Sequence, residues 1–216
     1  MVLCFAFMTY TSIYGNPAVY FKAKSEITRY IEENYKDVLN LESVSYSSKM
    51  SAYVGQVTDK DDSRCKSFIE YHPNSGKFYD DYQFRTMVNM EDELRVTIAT
   101  LINASLGIPS EKISIALQIE IPEFKYRMFD KHDPNNPANL DLTVEVNYAN
   151  IDEFSKDAYR ILSVLYTSKL NFKKIVLYSF TPEDGNKAYY ISLKEGEKAT
   201  SLGDVKKTVQ VKWMGK

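Results

Sequence analysis

Few side chains in this 216-residue chain could do acid–base, nucleophilic or metal chemistry. Histidine, the commonest general base near neutral pH, occurs twice, as His72 and His132. His72 precedes Pro73 at a strand end, and His132 lies in the polar stretch Lys131-His132-Asp133-Pro134, so both read as solvent-facing rather than catalytic. Asp80-Asp81, set between Tyr79 and Tyr82, offers the paired carboxylates of hydrolases. With no second pair or positioned histidine to name, these residues read as the end of a strand and the cap of the next helix. Asp59-Lys60-Asp61-Asp62-Ser63 alternates carboxylates as hard cations prefer, but it lacks the glycine and terminal bidentate Glu of an EF-hand loop and reads as a turn. HExxH, CxxC, GxSxG, GxGxxG and GxxxxGKS are all absent, and there are only eight glycines for phosphate-cradling loops. The expectation is a non-enzymatic protein with no catalytic residue, cofactor or metal site.

A surface for contact is easier to name. The loop from Pro122 to Asn139 carries Phe124, Tyr126, Met128 and Phe129 beside Lys125, Arg127, Lys131 and His132. Long loops between strands often carry function, and exposed aromatics interleaved with basic residues suit a partner protein, a headgroup layer or an anionic wall polymer. The expected interaction surface is Phe124, Tyr126, Arg127, Phe129, Lys131 and His132. The competing reading folds the aromatics back onto the core.

Periodicity supplies the elements that position these groups. An apolar stripe of Ile27, Tyr30, Ile31 and Tyr35 predicts a helix from about Phe21 to Tyr35. Strands follow at Glu42–Ser47, Ser51–Thr58 and Cys65–His72, separated by turn signals, with a further strand possible over Lys77–Tyr82. A long helical pattern then runs from Gln83 through Phe84, Met87, Val88, Leu94, Ile98 and Ile102 to Leu106, stopped by Gly107-Ile108-Pro109. Strands at Lys112–Ile121 and Leu140–Tyr148 flank the long loop. Asn150 caps a helix over Ile151–Lys169, and strands at Lys173–Thr181, Ala188–Lys194 and Thr208–Trp213 complete the chain. The expected class is α+β: an αβββ domain over residues 18–82, helix plus antiparallel meander, and a duplicated αββ unit over 83–216.

Residues 1–21 carry no charged side chain. The first fourteen would make about 21 Å of helix, short of the roughly 20 apolar residues a membrane span requires. No basic residue precedes them as in a secretory signal. Two readings compete for residues 1–17: the outer part of a membrane anchor, which is favoured, or an apolar strand beginning a cytosolic protein. Cys65 has only Cys4 as an intrachain partner and reads as a half-buried strand residue. A formal charge of −2, with lysines beside carboxylates nearly everywhere, argues against nucleic acid as a partner.

Gly15-Asn16-Pro17, the helix end Tyr30-Ile31-Glu32-Glu33-Asn34-Tyr35, then Ser45-Tyr46, Tyr53, Phe68 and Asp80-Asp81-Tyr82 resemble the YfjL-like proteins of Gram-positive bacteria, which are small, membrane-anchored and uncharacterised. The resemblance covers residues 10 to 85 and implies placement, not chemistry: a folded part outside the cytoplasmic membrane. The expectation built on it is a protein tethered through the N-terminus that touches another envelope protein or a cell-wall polymer. The alternative is a soluble cytosolic regulatory or binding protein.

Overall fold

Asn16 and Pro17 begin the first helix. The Asn16 side chain accepts the Ala18 N–H at 2.9 Å, and Pro17 takes the first helical position, where a missing N–H leaves nothing unpaired. Helix α1 runs Pro17–Tyr35 and buries Ala23, Ile27, Ile31 and Tyr35, one residue per turn. The computed structural model describes residues 11, 15–108, 113–121, 126–131, 133, 139–181 and 187–213. The anchor or apolar leader expected over residues 1–17 lies outside them, apart from Thr11 and residues 15–17, as does Cys4. The described residues divide into two compact units, one reaching to Thr86 and including Tyr126–Met128, the other running from Met87 and resuming at Phe129.

In the first unit α1 is followed by β1 (Leu39–Ser47), β2 (Ala52–Asp59), β3 (Lys66–His72) and β4 (Lys77–Asp80), an antiparallel meander in sheet order β1-β2-β3-β4. The register lines up Tyr46, Tyr53, Tyr71 and Phe78, one from each strand, as an aromatic row across the sheet. Ring centroids lie 5.1 Å apart for Tyr46 and Tyr53 and 5.0 Å for Tyr71 and Phe78, and Tyr30 of α1 stacks on Phe78 at 4.5 Å. Such cross-strand aromatic pairs are a main stabilising unit of sheets. Two glycines let the backbone close over this row. Gly15, at φ +81°, lies where a Cβ would come within 2.7 Å of the Tyr53 hydroxyl and 2.8 Å of the Tyr46 ring. Gly55 lies where a Cβ would meet Ile27 Cγ2 at 2.7 Å, so α1 reaches the centre of the sheet only because β2 carries no side chain there.

Helix α2 (Asp81–Leu106) starts in the first unit and continues into the second. The second unit then runs β5 (Ser114–Glu120), β6 (Asn139–Glu145), α3 (Ile151–Thr167), β7 (Phe172–Thr181), β8 (Lys187–Lys194), α4 (Leu202–Thr208) and β9 (Gln210–Trp213). Its sheet has the order β5-β6-β7-β8-β9, and every pair is antiparallel except β6–β7, which is parallel because α3 carries the chain across between them. Asn150 caps α3 by accepting the Glu153 N–H at 3.0 Å, and the helix buries Phe154, Ala158, Ile161, Leu162 and Leu165. Strand residues alternate in period two. Leu140, Leu142, Val144, Ile175, Leu177, Ile191 and Leu193 are buried, and Phe154 of α3 lies 6.0 Å from the Tyr189 ring on the same face.

The α+β class holds, with a helix and four-stranded meander followed by a second αβ unit. Four details differ from the reading of the sequence. Lys77–Asp80 is a full fourth strand of the meander. A helix precedes the last strand, held by a capping box in which Ser201 and Asp204 exchange hydrogen bonds. At seven residues with only Val205 buried, it is too short to show a period. Along α2 the buried positions are Asp81, Tyr82, Thr86, Met90, Leu94, Ile98 and Ile102, whereas the expected stripe residues Phe84 and Val88 are 55% and 37% exposed. The phase of this helix is set by its first turn, where β4 runs directly into it and Tyr82 is drawn inward. Cys65 is fully buried in the turn before β3 rather than half-buried within a strand.

Gly55→Ala is expected to destabilise the fold by about 1–3 kcal/mol in chemical denaturation, because the added methyl overpacks the contact with Ile27. Combined with Ile27→Ala, which removes the clashing atom, it should cost less than the sum of the two single changes; strict additivity would show that the contact is not the cause.

Candidate functional site

The expected interaction surface is partly built into the first unit. Tyr126 and Met128 are buried, so this stretch of the loop folds onto a core. The Met128 N–H donates to the Tyr82 hydroxyl at 3.2 Å, and that hydroxyl donates to Asp59 Oδ2 at 2.9 Å. Arg127 reaches Asp59 Oδ1 at 3.3 Å and pairs with Asp61. Phe129, next along the chain, is 70% exposed, and Lys131 is exposed as well. Phe124 and His132 lie outside the described residues. Tyr126 and Met128 are thus buried and Arg127 part-exposed in the first unit, and Phe129 and Lys131, which belong to the second, are exposed.

Asp59 is the group on which this segment rests. It ends β2, is itself buried, and its Oδ1 also accepts the Asp61 N–H at 2.9 Å, so the loop after β2 curls around its carboxylate. Asp62 takes Arg64 in a two-point contact, Nε to Oδ1 at 2.9 Å and Nη2 to Oδ2 at 2.7 Å, and these hydrogen bonds hold its carboxyl well below the usual carboxylate range. The alternating carboxylates of this loop therefore bind their own turn and neighbouring arginines. Among the described residues no group of three or more His, Cys, Asp or Glu side chains is placed to hold a metal ion.

Asp80 and Asp81 are likewise engaged. Asp80 Oδ2 accepts the Tyr35 hydroxyl at 2.6 Å and the Tyr30 hydroxyl at 3.0 Å, while Oδ1 accepts the Gln83 N–H at 2.9 Å at the start of α2. Asp81 Oδ2 takes the Ser67 hydroxyl at 2.7 Å and Arg85 Nε at 2.8 Å. These carboxylates end a strand and anchor a helix, as the spacing suggests. His72 Nε2 lies 3.4 Å from Glu70 Oε2 at the end of β3 and is part-exposed.

Burial, and after it the negative charge and hydrogen bond of Asp80, push the Tyr30 and Tyr35 hydroxyls far above their ordinary value; burial and Asp59 do the same for Tyr82. The tyrosines named in the sequence motifs are thus the donors of a buried network. The residues behind the YfjL-like resemblance gather here too: Gly15 packs on Tyr46 and Tyr53, the Tyr53 hydroxyl donates to the Asn16 carbonyl at 3.0 Å, and Tyr30 and Tyr35 meet Asp80. The union of Asp59, Tyr82 and Arg127 had no sequence signal, because its members are 23 and 68 residues from Asp59 along the chain.

Asp80→Ala should destabilise the fold by about 2–4 kcal/mol, since it orphans two part-buried hydroxyls and removes the cap of α2, with Asp80→Asn costing less. The same network sets an alkaline limit. Folding raises the pKa of Tyr30, Tyr35 and Tyr82 above the ordinary 10.0, so their contribution is complete below pH 10 and is lost as pH rises beyond it, where the unfolded chain releases protons that the folded chain retains. Ultraviolet titration of tyrosinate should show a late-ionising group that merges with the rest in denaturant and shrinks in Tyr35→Phe; a single transition near pH 10 for all tyrosines would contradict it.

No protein-family model matches the sequence, and no curated protein sequence matches it. The chain is similar in structure to a DUF5037 family protein from Ruminococcus gnavus ATCC 29149, at 14% sequence identity and a TM-score of 0.36, over 85% of this chain and 97% of that one.

Proposed function

We propose that the protein is a membrane-tethered extracytoplasmic binding module of a Gram-positive bacterium, non-enzymatic and YfjL-like, that touches another envelope protein or a wall polymer through residues 124–132. The observation that carries the binding role is the exposure of Phe129, at 70%, beside a segment whose Tyr126 and Met128 are buried and whose Arg127 is paired to Asp59 and Asp61. A large apolar side chain held out on an anchored segment, with Lys131 close by, is a preorganised contact. The non-enzymatic character is supported by the engagement of Asp59, Asp80 and Asp81 in structural hydrogen bonds. The tether rests on the sequence alone, on the uncharged stretch from Met1 to Phe21. No helix of the described residues is long and apolar enough to cross a membrane. The second reading, a cytosolic regulatory or binding protein, uses the same surface and places the apolar N-terminus in a core.

Fractionation of the producing cells, with protease added from outside, separates the two. Protein in the membrane pellet and cleaved by external protease fits the tether, whereas a protected cytosolic pool defeats it. For the surface, Phe129→Ser with Lys131→Glu should leave the thermal transition in place and abolish co-sedimentation with envelope preparations; unchanged co-sedimentation would remove this segment from the reading.

A further inference from the structure

The sheet of the second unit has a second face, opposite the one that buries Leu142, Leu177 and Ile191. There the register sets Ala116, Thr143, Val176 and Ser192 side by side across β5, β6, β7 and β8. These are short side chains in a row crossing strands about 4.8 Å apart, so they form a floor roughly 14 Å long. Two residues along each strand, on one side, stand Gln118, Asp141 and Lys174, again register partners. Two residues along on the other side stand Tyr178 and Tyr190, also partners. A floor of short side chains between a longer polar row and an aromatic row is a trough about 13 Å wide. A cleft of about 240 Å³ opens at its polar wall, lined by Ala116, Gln118, Asp141, Thr143 and Lys174 among others.

We propose that this trough is a binding site for a linear oligosaccharide. Asp141 Oδ1 is buried and accepts no hydrogen bond from the described residues, although nearly all buried polar atoms find a partner. An unsatisfied carboxylate oxygen beside an open cleft calls for a donor from outside, and a sugar hydroxyl is a donor that can also accept from the Gln118 amide and the Lys174 ammonium. The opposite wall is suited to the apolar faces of sugar rings. Tyr190 is held by its hydroxyl on Gln210 and by the Lys212 ammonium 4.7 Å from its ring centroid. Polar groups on one side of the floor and tyrosines on the other match the usual make-up of ligand sites. A protein partner would instead need a central apolar anchor, which the floor of Thr143, Val176 and Ser192 does not provide. The site shares no residue with the surface at 124–132, so it stands whether or not that reading does.

The isotope-labelled full chain titrated with three tetrasaccharides, of β-1,4-linked glucose, of N-acetylglucosamine and of galacturonate, tests this by NMR. At millimolar concentration at least one should shift the backbone amides of residues 116–118, 141–143, 174–178 and 190–192. Asp141→Ala and Gln118→Ala should each weaken that binding by about tenfold or more without lowering the thermal midpoint, and Ser192→Trp, which fills the floor, should abolish it. The proposal is overturned if none of the three sugars moves these amides, if an extended peptide moves them and the sugars do not, or if binding survives Asp141→Ala unchanged.

Discussion

Asp80 sits where α1, β4 and α2 meet, and its carboxylate takes hydroxyl protons from Tyr30 and Tyr35 while accepting the Gln83 N–H. A part-buried charge of this kind is tolerated only when its donors are in place, and here they come from two helices and lie 45 to 50 residues away in sequence for the tyrosines. The rest of the first unit follows from meeting that demand. Helix α1 must lie close over the sheet, which Gly55 permits, and its start must be pinned at the far end of the same sheet, which Gly15, Asn16 and Tyr53 accomplish. Helix α2 must begin without an intervening loop, and that fixes which of its faces is buried.

Asp59 has a parallel role at the end of β2. Its two oxygens serve the turn after that strand, the Tyr82 hydroxyl and Arg127, and through them a segment remote in sequence acquires a fixed path. Tyr82 is the link, donating to one group and accepting from the next. In such a chain each hydrogen bond polarises its neighbour, so loss of one member is felt along the whole. The path of Tyr126–Met128 is therefore a property of the buried Asp59 carboxylate as much as of the loop's own sequence.

Much of this architecture was legible in the residues. The turn signals bounding β2 and β3, the caps Asn150 and Asn16-Pro17, and the period-two alternation of β6 to β8 are local features, and local features survive in sequence. The face of α2 was not legible, because Phe84 and Val88 are as apolar as the buried Met90 and Leu94, and only the junction with β4 chooses between them. Helix α4 escaped because a capping box without a following stripe is a weak signal. In the candidate surface, Tyr126 and Phe129 were indistinguishable as aromatics in a loop. Tyr126 is buried and Phe129 exposed, and the partners that fix the intervening Arg127 and Met128, Asp59 and Tyr82, are connected to this stretch by no spacing rule.

The single parallel seam between β6 and β7 has a bearing on how the second unit assembles. The antiparallel pair β7–β8 can close by a short return of the chain, whereas β8 reaches β9 only past α4 and Leu140 meets Phe172 only after the whole of α3 has been laid down between them. Closing that longer loop carries the larger entropic cost, and it is recovered when Leu142 and Val144 come to lie beside Ile175 and Leu177 under the helix. The β7–β8 ribbon can therefore form from a local stretch of chain, whereas the β6–β7 seam closes only across the whole span of α3.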